Sequence, residues 1–259
     1  MLQLEGRSAL VTGAGRGIGR AIAIGLAEQG ASLLVTDVNL DAVEGLAGEL
    51  GEGRAIALRA DVSDLTDVDR MVERCATAYG SVDILVNNAA VTRFADVMRI
   101  TPGDWDNMHS VNARGTFFTM QRAAREMISS GRGGRIVNIA SIAGKGFSGT
   151  SNAAYAASKG AVIAMTAIAA HQLGPHGINV NSVCPGLTRT PLGDDLAGQA
   201  ASLLGMPEKQ FRKEREATIP IGRECRPEEI AAMVAFLVGP GGDAITGQAI
   251  NVDGGILNF

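Results

Sequence analysis

Apolar and polar residues alternate along this chain in blocks. Seven short apolar runs, at 8–11, 32–36, 54–58, 84–86, 135–139, 179–183 and 249–252, are rich in Val, Ile, Leu and Ala. Runs this short read as strands buried on both faces rather than as helices. Between them lie amphipathic or alanine-rich stretches at 19–28, 40–50, 68–79, 104–129, 154–173 and 228–237, which read as helices. Regular alternation of strand and helix predicts a doubly wound α/β fold, a seven-stranded parallel sheet with helices on both faces. No repeat, low-complexity tract or linker divides the sequence, so 1–259 reads as one domain. One segment breaks the rhythm. The stretch 191–219 follows a strand's C-terminal end and carries the charged run 208–216. Its outer face reads as solvated, and its position predicts a lid.

Composition narrows the partners. At 259 residues and 46% hydrophobic, the chain has apolar material for one large core. Thirty-four glycines with 4% aromatics suit close helix–strand packing and tight βα turns. A formal net charge of −4 gives no general attraction for nucleic acid or an anionic membrane. Cys75, Cys184 and Cys225 are odd in number and far apart, without a Cys-x-x-Cys pair, which predicts a reducing cytoplasm. No run of eighteen uncharged apolar residues is present, and residues 1–7 lack a signal-peptide layout. His109, His171 and His176 have no ligand spacing, so no metal is expected. Arg122, Arg125, Arg132 and Arg135 form a local basic cluster, suited either to an acidic carrier protein or to ordinary surface and subunit contacts. Trp105 reads as packing.

Chemistry concentrates in two stretches. Thr12-Gly13-Ala14-Gly15-Arg16-Gly17-Ile18-Gly19 follows the first strand and opens the first helix. Glycines there let the backbone turn tightly and approach a pyrophosphate, which the helix N-terminus attracts. The spacing is Gly-x-x-x-Gly-x-Gly, because Ile18 stands where the strict dinucleotide motif has its third glycine. Asp37 ends the second strand. An acid there accepts hydrogen bonds from the adenosine ribose hydroxyls and repels a 2′-phosphate. Arg16 pulls the other way, but Asp37 sits at the ribose itself, so NAD is expected over NADP. The second stretch is Tyr155-Ala156-Ala157-Ser158-Lys159. A phenol and an ammonium four residues apart share one helix face. A nearby cation pulls a phenol's pKa down, which suits an acid–base that handles an alcohol proton.

These residues, together with Asn87-Asn88-Ala89-Ala90, Asn112, Ser141 and Pro185-Gly186 in this order, resemble the short-chain dehydrogenases/reductases. The resemblance runs from about Leu4 to Gly255. It implies that Tyr155 is the general acid–base, and that Lys159 lowers its pKa and holds the nicotinamide ribose. It implies that Ser141 bonds the substrate oxygen and that Asn112 orders a relay water. It carries Asp61 and Val62 to the adenine, Asn88 and Ala89 to the cofactor's flank, and Pro185, Gly186, Thr188 and Thr190 to the nicotinamide end, with Thr190 on the carboxamide. A homotetramer is also implied. Three departures stand out: Ser141 lies fourteen residues before Tyr155, one more than usual, Thr188 replaces an Ile or Val, and Ala90 replaces a glycine. An insertion around 145–152 would absorb the first and reshape the substrate pocket.

The expected function is hydride transfer between NAD(H) and a secondary alcohol or ketone, with a sugar alcohol or other polyol as first choice. The alternatives are a 3-oxoacyl-(acyl-carrier-protein) reductase, resting on the arginine cluster, and a catalytically silent NAD-binding regulator.

Overall fold

The apolar runs form strands β1 Ser8–Thr12, β2 Ser32–Asp37, β3 Ala55–Arg59, β4 Ile84–Asn87, β5 Gly134–Ile139, β6 Ile178–Pro185 and β7 Ala249–Val252. They join in one parallel sheet ordered β3-β2-β1-β4-β5-β6-β7. This is a computed structural model that describes residues 3–149 and 151–258; Met1, Leu2, Phe259 and Thr150, the last within the expected 145–152 insertion, lie outside it. Every residue of β1 is buried, as a strand covered on both faces must be. Its side chains alternate between two cores. Ala9 and Val11 pack with the helices α1 Gly17–Glu28, α2 Leu40–Leu50 and α9 Pro227–Val238. Leu10 packs on the other face with α3 Leu65–Tyr79, α5 Thr116–Ser130 and α6 Ala153–Leu173.

Helix starts follow their caps more closely than the apolar periodicity does. Asp64 accepts from Thr66 N at 2.8 Å, so α3 begins before the expected residue 68. Thr101 and Asp104 form a capping box that starts α4 Pro102–Met108. The expected single helix 104–129 is corrected here. It is divided by one π-helical turn, His109–Gly115, between α4 and α5. Gly115 lies against the β3–α3 loop, where a Cβ would stand 2.8 Å from the Val62 carbonyl oxygen. Such turns widen a helix locally and often mark functional positions. Asn112 sits inside this one.

The segment after β6 is helical: α7 Pro191–Leu204 and α8 Glu208–Glu216. α7 buries Leu196, Ala197, Ala200 and Ala201, whereas α8 has no buried residue. By length and hydropathy the stretch Ala153–His176 could cross a membrane. In the fold it lies across the sheet, and Val162, Ala169 and Ala170 are buried against it.

Candidate active site

A cleft opens at the carboxyl ends of β1 and β4, where the strand order reverses. Its cavity measures about 440 Å³. Backbone builds one end. Gly13 has φ +63°, and a Cβ there would stand 2.7 Å from Ala89 Cα, so only glycine lets the loop lie this close to β4's end. The Thr12 hydroxyl accepts from Asn88 N at 3.0 Å and Ala89 N at 3.2 Å. Asn88 Nδ2 donates back to the Thr12 and Gly13 carbonyls at 3.1 and 2.8 Å. These four bonds clamp the glycine loop to the adjacent strand. α1 then starts at Gly17 with no side-chain cap, leaving its first N–H groups directed at the cleft.

Asp37 lines the same end. Its Oδ2 accepts from Gly15 N and its Oδ1 from Asn39 N, each at 3.0 Å. The carboxylate is thus held against the glycine loop with acceptor capacity to spare. Asp61 is held by its own turn, accepting from Ser63 N at 2.9 Å and Ser63 Oγ at 2.7 Å.

Side chains build the opposite wall. Asn152 caps α6 by accepting from Tyr155 N at 2.8 Å, and its amide donates to the Arg93 carbonyl at 2.6 Å. The chain before α6 is thereby pinned one turn from the tyrosine. Ser141 reaches Tyr155 because Gly144 lets its loop touch α6: a Cβ at Gly144 would stand 2.7 Å from the Lys159 carbonyl carbon. The Ser141 hydroxyl lies close enough to the phenol to favour its charged form. Lys159 is 2% exposed, and its Nζ donates to the Ile139 carbonyl at 2.7 Å and lies 5.9 Å from the Tyr155 ring centre.

Burial dominates both titrations. It pushes the Tyr155 phenol up to about 12, against the pull of the Ser141 hydroxyl. It draws Lys159 down to about 8. In the protein alone desolvation therefore dominates the phenol, and Tyr155 is a protonated acid at neutral pH.

Asn112 stands behind this wall. It is fully buried, accepts from Val91 N at 2.8 Å, and donates to the Val91 carbonyl at 2.9 Å and Ser158 Oγ at 3.0 Å. Ser158 donates in turn to the Tyr155 carbonyl at 2.8 Å. Both amide hydrogens are thus committed to the protein.

The third side follows β6. Gly186 passes Asp253 so closely that a Cβ would stand 2.6 Å from Asp253 Cα. Thr188 donates to the Gly186 carbonyl at 3.1 Å and bridges to Cys225. Thr190 caps α7, accepting from Gly193 N at 3.0 Å. Leu187, Leu192, Leu196 and Arg215 complete this side.

The cavity is lined by the expected Gly13, Arg16, Gly17, Ile18, Asp37, Asp61, Val62, Asn88, Ala89, Ser141, Tyr155, Lys159, Pro185, Gly186, Thr188 and Thr190. Gly15, Gly19 and Asn112 stand one layer back. At Gly19 a Cβ would lie 2.2 Å from the Gly13 carbonyl oxygen, so its part is packing of the loop on the helix. Sequence reasoning missed Gly144 and Arg215 as parts of the site, and gave no role to Thr12 and Ser158 within the stretches that contain them. Asn152 alone had a readable signal, an Asn just before a helix. The arginine cluster does not face a partner as one patch. Arg122 pairs with Asp69, Arg132 with Asp83, and Arg135 with Asp243 at 2.6 Å. His109 stacks on Trp105 with ring centres 4.0 Å apart. Among the described residues, no group of three or more His, Cys, Asp or Glu is arranged to hold a metal ion.

A family model described as Enoyl-(Acyl carrier protein) reductase matches residues 13–257. A sorbitol dehydrogenase of Cereibacter sphaeroides is 40% identical over 254 residues, 98% of each chain. This chain is a short-chain dehydrogenase/reductase. A 3-oxoacyl-(acyl-carrier-protein) reductase FabG of Thermotoga maritima is 37% identical over 259 residues, covering 99% of this chain and 100% of that one. A solved short-chain type dehydrogenase/reductase from Mycobacterium marinum superposes with a TM-score of 0.89 at 33% identity, covering 98% of this chain and 97% of that chain. The protein is therefore an oxidoreductase acting on CH–OH groups. Members of the family use NAD or NADP. The cradle of Gly13 and Gly17, the uncapped start of α1 and the Asp37 carboxylate fit such a dinucleotide.

Proposed function

We propose that this short-chain dehydrogenase/reductase transfers a hydride between NAD(H) and a secondary alcohol or ketone, with a sugar alcohol or related polyol as substrate. The observation that carries the reading is the convergence of Ser141, Tyr155 and Lys159 on one wall of the cleft, facing the glycine-loop cradle. Bound NAD(H) would accept or supply the hydride. The protonated Tyr155 gives its proton to the carbonyl oxygen during reduction, and the Ser141 hydroxyl holds that oxygen. Lys159, fixed to the Ile139 carbonyl, stabilises the phenolate that results and is poised to hold the nicotinamide ribose. In the direction of oxidation the phenolate must form first, against its own burial.

NAD is the preferred cofactor on this reading, because Asp37 at the end of β2 repels a 2′-phosphate. The polyol choice is supported by the similarity to the sorbitol dehydrogenase. The similarity to FabG favours a 3-oxoacyl reductase as second reading, though the basic cluster no longer supports it. Exposed Phe117 and Ile128 on α5 and Ile168 on α6 support a homotetramer, which is expected to work in the cytoplasm. The test is kcat/KM with both cofactors across polyols, hydroxysteroids, hydroxyacids and 3-oxoacyl esters. NAD is expected to win, and Asp37→Ala to narrow the gap by about tenfold or more, the worth of a charge-assisted hydrogen bond. Equal or better use of NADP by the wild type would mean that Arg16 outweighs Asp37. No turnover of any substrate would favour a regulator.

A further inference from the structure

The charges lining the cleft are segregated. Its acids, Asp37 and Asp61, stand at the glycine-loop end beside Arg16. Lys159 stands on the α6 wall, and Arg215 reaches the cavity from α8, on the side formed by Leu187, Leu192 and Leu196. Past the cradle the cavity wall therefore carries cations and no carboxylate.

Arg215 differs from the other arginine of its helix. Arg212, one turn earlier, pairs with Glu208 at 2.8 Å and with Asp194 at 2.9 Å. Among the described residues Arg215 makes no ion pair, and its Nε is buried without a hydrogen-bond partner. Glu224 acts on it through its charge, yet lies 4.0 Å from Arg189 and does not pair with Arg215. Phe211, whose ring centre is 5.9 Å from the guanidinium carbon, supplies contact but no acceptor. Burial pushes the Arg215 pKa down, the mark of a cation poorly compensated by its own protein. A half-buried guanidinium without a partner is costly unless something else completes it. A planar fork of N–H donors is completed best by a carboxylate or a phosphate.

We propose that Arg215 is a specificity-determining residue, and that the substrate is a secondary alcohol or ketone carrying an anionic group, carboxylate or phosphate, which this guanidinium binds while the carbinol lies at Tyr155 and Ser141. This rests on the hydride-transfer reading and narrows its substrate class. Leu187, Leu192 and Leu196 line the same side of the cavity as Arg215 and suit the substrate's carbon chain. A cleft with one sign of charge at this end also concentrates anions before binding.

The test uses matched substrates that differ in the anion: 3-hydroxybutanoate against 2-butanol for the carboxylate, and a phosphorylated hexitol against the same hexitol for the phosphate. In the wild type, one anionic member is expected to exceed its neutral partner in kcat/KM by about tenfold or more. Arg215→Met should reduce that ratio about tenfold or more, mainly through KM, and Arg215→Lys should retain part of it. The arm that responds identifies the anion. A second readout needs no turnover: melting of the NADH-loaded protein should rise with the responsive anion, and rise less in Arg215→Met. No anionic preference in either arm, with neutral alcohols still oxidised, would overturn the role of Arg215 and leave hydride transfer standing. A tenfold loss of NADH affinity in Arg215→Met would overturn it too, by assigning the guanidinium to the cofactor's pyrophosphate. Failure of every alcohol and ketone with either cofactor would instead count against hydride transfer, and the melting shift would then decide Arg215 alone.

Discussion

The two walls of the cleft are built by different rules. On the α6 wall, Asn112, Ser158 and Lys159 are each at most 2% exposed, and their polar atoms are matched by Val91, Tyr155 and Ile139. On the α7–α8 wall, no residue of α8 is fully buried, Arg212 makes its ion pairs near the surface, and among the described residues Arg215 makes no ion pair. The first wall holds groups whose positions must be kept within a fraction of an ångström for proton transfer. On the proposed reading the second touches the part of a substrate that identifies it, where a looser fit is tolerable. Stability and chemistry sit together on one side, selection on the other.

The largest break in this comparison should come from the phenol itself. Tyr155→Phe removes one hydroxyl and leaves the glycine-loop cradle intact. Turnover should fall about 10²–10⁴-fold, the usual contribution of a general acid–base, while NADH affinity stays nearly unchanged. A variant that keeps more than half the wild-type rate would remove Tyr155 from the mechanism.

The next effect is a pH dependence. Lys159 is charged below about 8 and neutral above it, because burial disfavours the ammonium. Tyr155 stays protonated until about 12. Ketone reduction should therefore be level near neutrality and then decline by up to tenfold per pH unit above about 8, as the ammonium is lost. A profile of kcat/KM for the ketone against pH reports the free enzyme's groups. A level rate up to pH 10 would mean that the lysine's charge is dispensable or is held by a partner.

A matched pair of deletions compares the walls directly. Ser158→Ala removes the acceptor of a buried Asn112 hydrogen and should destabilise the fold by about 1–3 kcal/mol. Arg212→Ala removes two surface ion pairs and should cost about 0–1 kcal/mol. Urea unfolding of both variants measures the difference. Equal losses would erase the distinction drawn between a saturated wall and a loose one.

Much of this was legible in the chain. The five inner strands are largely buried and so mostly apolar, and even the half-buried edge strands β3 and β7 keep a short apolar run, so all seven stand out. Tyr155 and Lys159 are joined by helical spacing, and the glycine loop by its place between strand and helix. What stayed hidden depends on distant segments meeting. The π-turn keeps an apolar rhythm like that of the helices around it. Thr12 matters because Asn88 comes to lie beside it, and Gly144 because Lys159 does. The arginine cluster stayed open between a carrier-protein patch and ordinary surface contacts because Asp69 and Asp243, the partners of Arg122 and Arg135, are remote in sequence. Arg215 looked like one more surface charge in 208–216, since nothing local marks which side of a short helix faces a cavity.

The smallest effect should be the most local. The segment 191–219 is expected to close over the substrate as a lid, excluding water from the hydride path. Two features suit marginal local stability. α8 is held through surface ion pairs, and Gly205, at φ +65°, ends α7 in a left-handed turn before α8 begins. The competing account is a rigid contact helix between subunits, for which the exposed Leu203 and Leu204 would serve. Amide hydrogen exchange separates the two. The lid account expects fast exchange in 205–216 of the protein alone, and slowing of several-fold when NADH and an anionic substrate are added together. α6 should be protected throughout, because its backbone is already packed against the sheet. Strong protection of 205–216 without ligand, unchanged by ligand, would make this wall as fixed as the other and leave Arg215 a preformed subsite instead of a closing one.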